Sequence, residues 1–126
     1  MDLSTNSPTA IRRIHDMCAE KGVTVLDAPV SGGTYGAAAA TLAVMVGGDK
    51  SVYDRMKPTL DAIGSHVVYC GPIGNGMVCK ICNNLLSMGI GVLMTEALTM
   101  GVKAGVDLAT LADVIANSTG GNKRPN

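Results

Sequence analysis

The stretch from Ile81 to Val106 constrains this chain more than any other. It is apolar on most sides, is long enough for many helical turns, and is broken by Asn83, Asn84, Ser87, Glu96 and Lys103. A helix that is greasy all round must be covered by other protein. The polar breaks argue against a membrane span. The spacing therefore predicts one long buried helix, roughly from Gly76 to Ala104. Such a helix carries more apolar surface than the rest of the chain can easily cover, so another segment or another subunit is expected to complete it.

At 126 residues the chain has the length of one ordinary domain, and 47% of it is hydrophobic. There is no Phe or Trp and there are only three Tyr. The core is expected to be built from Ala, Val, Leu, Ile and Met. Formal net charge is zero, and no basic stripe marks a nucleic-acid surface. Aromatic residues are too few for base stacking. The four cysteines, Cys18, Cys70, Cys79 and Cys82, do not form a disulfide-framework pattern. No signal peptide opens the chain, and Ser4 to Glu20 is too polar for an anchor. A reducing cytosol is the expected compartment.

The order of elements reads as follows. Asp2 to Thr5 resembles the end of a strand. Ser7-Pro8 supplies an N-cap with proline at the first helical position, and that helix runs to about Lys21 before Gly22. Val23 to Leu26 reads as a short strand, Asp27 to Gly33 as a loop, and Ala37 to Ala40 as a helical turn. Leu42 to Val46 is a second strand, closed by Gly47-Gly48-Asp49. Ser51 to Ile63 is an amphipathic helix with Met56, Leu60 and Ile63 inward. His66 to Cys70 is a third strand, and Gly71-Pro72 breaks the chain. Beyond the long helix, Asp107 caps a helix from Leu108 to Ala116, and the polar tail from Gly120 is expected to fray. The pattern is α/β over residues 1–72, then all-helical over 73–126.

The start of the long helix carries the chemistry. Gly74-Asn75-Gly76 opens it, and glycines there permit close approach of a backbone or a ligand. Lys80 and Asn84, four residues apart, share one helical face, and Asn83 flanks it. Desolvation among Met, Val, Cys, Ile and Leu would lower the pKa of Lys80 and suit it to proton transfer near neutral pH. A lysine that snorkels to water is the plainer reading of the same residue.

In order, Asp2-Leu3-Ser4-Thr5 with Ser7-Pro8, then Asp27-Ala28-Pro29-Val30-Ser31-Gly32-Gly33, then Gly74-Asn75-Gly76 with Lys80 and Asn84 resemble the middle of a β-hydroxyacid dehydrogenase of the 3-hydroxyisobutyrate type. Met45-Val46-Gly47-Gly48 and Glu96-Ala97-Leu98 fit the same pattern. The resemblance implies a partial Rossmann-type domain, a long connecting helix and the start of an all-α C-terminal domain, associating as a homo-oligomer such as a dimer. It implies NAD or NADP as cofactor and a small β-hydroxyacid as substrate. By motif match, Lys80 is the catalytic acid/base and Asn84 its orienting partner. Asn83 lies beside the substrate, while Ser31, Gly32 and Gly33 take its carboxylate. Thr5 sits near the nicotinamide. The family's Gly-x-Gly-x-x-Gly turn is absent from the sequence, and that turn supplies the main amide cradle for the pyrophosphate. A truncated member with little activity of its own is therefore expected.

Other candidates read as structural. Cys79 and Cys82 form a C-x-x-C without a second pair, so packing thiols are expected rather than a metal site. His15 and His66 are assigned structural places. Asp27 is expected to bond the amides of its own loop, and Glu96 to need a polar partner. Tyr35 is placed either at the pocket or on the surface. A non-catalytic module that binds a small carboxylate or dimerises is the alternative to a dehydrogenase, and a fragment without a function of its own is a third reading.

Overall fold

A computed structural model describes residues 1–121. The expected fraying of 122–126 lies outside the described residues, while Gly120 and Gly121 belong to a short 3-10 turn, Thr119–Gly121. The chain divides into two compact units, Met1–Asn84 and Leu85–Asn126.

Ser7 accepts the amide of Thr9 and sets the start of α1 (Pro8–Ala19). The helix stops two residues earlier than its sequence suggested, closed by the Val23 amide on the Cys18 carbonyl at 3.0 Å. The chain then forms β1 (Val30–Ser31), α2 (Gly33–Ala38), β2 (Ala43–Gly47), α3 (Lys50–Asp61) and β3 (His66–Gly71). The strand order is β1-β2-β3, with β1 antiparallel and β3 parallel to β2. This α/β unit ends in the first turns of α4 (Asn75–Lys103).

The strand expected at Val23 to Leu26 does not form. Asp27 instead makes isolated bridges, parallel to Asp2 and antiparallel to Gly47. The short β1 pairs where a loop was expected, because Val30 and Ser31 lie opposite Val44 and Ala43. The helical turn at Ala37 to Ala40 proves to be the end of α2, which starts at Gly33.

The core sits between the sheet and α3. Val44 and Val46 project inward from β2 at the two-residue period of a strand, and meet Leu26, Ala28, Leu42, Tyr53 and Leu60. Asp49 caps α3 by accepting the amides of Ser51 and Val52. Tyr53 and Leu60, seven residues apart, share the inward face; Met56 and Ile63 flank them, half-buried. Aliphatic residues do not make this core alone. The rings of Tyr53 and Tyr69 lie 5.1 Å apart, and the Tyr69 hydroxyl donates to the Gly48 carbonyl at 2.9 Å.

In the second unit, Asp107 caps α5 (Leu108–Asn117) by accepting the Thr110 amide. Within this chain the long helix is left largely uncovered, as its excess of apolar surface suggested: only Gly76 and Met77 of α4 are buried. By length and composition alone it would also suffice to cross a membrane.

Candidate functional site

The first turn of α4 has no capping side chain of its own, since Gly74 occupies the place where Ser, Thr or Asp would serve. Helix starts leave amides without partners. Asp27, completely buried, supplies the acceptors from another part of the chain. Its Oδ1 accepts the Gly74 amide and its Oδ2 the Met77 amide, both at 2.8 Å. Hydrogen bonds to a charged group contribute about 1.5–3 kcal/mol each, and a negative group is favoured at this end of a helix. The expected Asx turn is thus replaced by bonds to residues 47 and 50 positions away.

The packing around this carboxylate leaves no spare volume. A Cβ on Gly76 would stand 2.3 Å from the Met45 carbonyl oxygen and 2.8 Å from Asp27 Oδ2. One on Gly47 would stand 2.4 Å from Asp27 Oδ1.

Three segments converge here. The Asp2 amide donates to Leu26 O at 2.9 Å, and the Ala28 amide donates to Asp2 O at 2.8 Å, joining the N-terminal segment to the chain around Asp27. Asp27 joins that chain to α4. The Asn6 amide lies 3.4 Å from Met77 Sδ and joins α4 to the N-terminal segment. Arg12 Nε donates to Ile73 O at 3.1 Å and ties α1 to the approach to α4.

The nominated residues surround this junction in sequence. Lys80 lies three residues beyond Met77 and is half-buried, as is Asn84; Asn83 is exposed. Ser31 ends β1 half-buried, and Gly32 and Gly33 follow it exposed. Gly32 has φ +133°, a region that disfavours side chains, and it caps α2. Thr5 is exposed. Among the described residues, none of the side chains of Thr5, Ser31, Lys80, Asn83 and Asn84 makes a hydrogen bond or ion pair.

The remaining candidates take plain positions. Cys79 and Cys82 are exposed free thiols on α4. Cys70 is half-buried; burial, followed by the neighbouring Cys79, pushes its thiol up to about 12. Among the described residues, no three His, Cys, Asp or Glu side chains group as metal ligands. His15 contacts Asp16 at 3.2 Å, His66 heads β3 at the surface, and Tyr35 is 90% exposed. Glu96, exposed, lines an open hollow of about 410 Å³ with Thr95, Thr99, Met100 and Lys103. Sequence reasoning missed the partners of Asp27 and the part played by Met77. One signal was available: a helix start without its own cap requires an acceptor from elsewhere.

Comparison with known proteins places the sequence and fold in a family. Residues 1–71 match the family model for the NAD binding domain of 6-phosphogluconate dehydrogenase. Residues 74–125 match that for the NAD-binding domain of NADP-dependent 3-hydroxyisobutyrate dehydrogenase. The 3-hydroxyisobutyrate dehydrogenase of Pseudomonas aeruginosa is 46% identical over 125 residues, and the NAD-dependent L-serine dehydrogenase of the same organism 43% over 122. Each match covers 97% of this chain and 41% of the relative, so the chain spans about two-fifths of their length. The structure of Mycobacterium tuberculosis 3-hydroxyisobutyrate dehydrogenase with L-serine superposes with a TM-score of 0.87 at 43% identity, covering 94% of this chain and 41% of that one. On the matched motifs, the sheet and the long helix together, the chain belongs to the NAD(P)-linked β-hydroxyacid dehydrogenase family, with the Rossmann-like fold of that family.

Proposed function

We propose that residues 1–84 form the substrate side of a hydroxyacid dehydrogenase site of the 3-hydroxyisobutyrate type. The Ser31 hydroxyl and the amides of Gly32 and Gly33 hold the substrate carboxylate. The Lys80 amine takes the proton of the hydroxyl during oxidation and returns it in the reverse direction. Asn84 orients that amine and the substrate oxygen, Asn83 lies beside the substrate, and Thr5 faces the nicotinamide. The closed set of contacts through Asp2, Asp27 and Met77 is the observation that carries this reading, because it draws the three motif-bearing segments to one junction.

The residues present do not themselves fit a whole dinucleotide. The sequence has no Gly-x-Gly-x-x-Gly turn. The α1 start is closed by Ser7 and Pro8, which leaves no glycine-lined amide nest there. The 126 residues are therefore expected to reduce no NAD⁺ alone. The same observation favours a second reading, a small-carboxylate-binding or dimerisation module. The absence of a disulfide-framework pattern supports a reducing, cytoplasmic compartment for either reading.

Calorimetric titration of 3-hydroxyisobutyrate, with and without NAD(H), tests both. Saturable binding that is lost in Lys80→Ala supports the dehydrogenase site. Binding that survives Lys80→Ala supports the module. No saturable binding under either condition overturns both.

A further inference from the structure

We propose that Asp27 is a positioning residue for this site: its buried carboxylate locks the first turn of α4, and Lys80 with it, to the chain that leads into Ser31–Gly33. The inference rests on the reading of Lys80 and the Ser31 loop given above, and adds a residue which that reading does not assign a role.

Asp27 lies four residues before Ser31 on an extended segment. Its backbone is fixed on both sides: its amide donates to Gly47 O at 3.1 Å, and Gly47 N donates to its carbonyl at 2.8 Å. The side chain therefore starts from a rigid point. Its two oxygens take the Gly74 and Met77 amides, which bracket the opening of α4 and fix both its position and its rotation. Met77 and Lys80 are three residues apart and adjacent on the helix surface. A rotation of the first turn would therefore carry the lysine nitrogen with it. Gly47 and Gly76 close against the same carboxylate, so neither end has room to slide.

The clamp also decides where a substrate carboxylate binds. A helix start is ordinarily an anion site. Here Asp27 already occupies the Gly74 and Met77 amides and places a negative group at that point. A second carboxylate is repelled from the helix start and left to the Ser31–Gly33 loop, at the other end of the segment that Asp27 anchors. The residue thus separates the anion-binding element from the proton-transferring one while holding them in register.

Amide-resolved hydrogen exchange on the full chain tests the proposal. In the unsubstituted chain the Gly74 and Met77 amides should be protected as strongly as the β2–β3 ladder, although helix starts normally exchange fast. Rapid exchange at these two amides would overturn the clamp without requiring any variant to fold. Asp27→Asn keeps the shape but turns an N–H₂ toward one of the two amides. It should speed exchange from Gly74 through Lys80 by more than about tenfold, with the β2–β3 ladder changing far less. Because the turn that carries Lys80 is then released from its register with the Ser31 loop, it should also weaken 3-hydroxyisobutyrate binding by at least about tenfold. Uniform acceleration over ladder and helix together, or unchanged binding despite local release, would reduce Asp27 to a structural residue. The Lys80→Ala titration is read separately. If that variant binds normally, the site reading fails and the positioning role fails with it. If it loses binding while Asp27→Asn does not, the site stands and the clamp alone is refuted.

Discussion

A methyl group is enough to test the junction at Gly76. Alanine there would press on the Met45 carbonyl at 2.3 Å and on Asp27 Oδ2, and neither backbone nor buried carboxylate can yield cheaply. Gly76→Ala should destabilise the first unit by about 1–3 kcal/mol or more, read as a lowered urea midpoint with unchanged slope. Cys70 tests burial at the end of β3. Its folded-state value of about 12 exceeds the ordinary 9.0, so the folded form prefers the protonated thiol. That preference contributes fully below the ordinary value and disappears as pH rises toward about 12. Alkylation near neutral pH, followed by peptide mass spectrometry, should label Cys70 more slowly than Cys79 or Cys82. Ser31, Lys80 and Asn84 were nominated because their neighbours in sequence carry the family's pattern. The true partners of Asp27 were not, because they lie 47 and 50 residues away and no local rule reaches that far.

The element that tests the packing most directly is α3, whose inward face presents Tyr53 and Leu60 to the sheet. Leu60 is fully buried in the main cluster. Leu60→Ala removes apolar contact and leaves a cavity, and should cost about 2–5 kcal/mol in equilibrium unfolding. Caps and the helix period made α1, α3 and α5 readable, since Ser7, Asp49 and Asp107 act within three residues of themselves. The segment Val23 to Ser31 misled for the opposite reason. Its apolar run suggests a strand at Val23, but pairing depends on where β2 and Asp2 lie, and these are met only at Asp27 and at Val30–Ser31. Strand boundaries set by distant partners are not written in the strand's own residues.

On the scale of the whole molecule, the question is what covers the apolar faces of α4 and α5. Leu85, Leu86, Met88, Leu93 and Met100 of α4 are each more than 60% exposed, and Leu108 and Val114 are each 54% exposed. Soluble chains rarely leave that much contiguous apolar surface wet. The sequence already implied it, because the long helix outruns the apolar residues available to pack on it. Which molecule meets that surface is not a property of one chain's residues, and so could not be read from them. A second copy is the occupant proposed here, and sedimentation velocity should show association rising with concentration. Leu86 and Leu93 are seven residues apart and share one face. Burying a leucine contributes about 1.5–3 kcal/mol, and a two-fold contact counts each substitution twice. With tenfold per 1.4 kcal/mol, Leu86→Lys with Leu93→Lys should weaken a pair through this face by well over about 100-fold. Far-ultraviolet circular dichroism should show helix content retained in that variant. If the unsubstituted chain sediments as a stable, soluble monomer at every concentration, self-association through α4 is refuted.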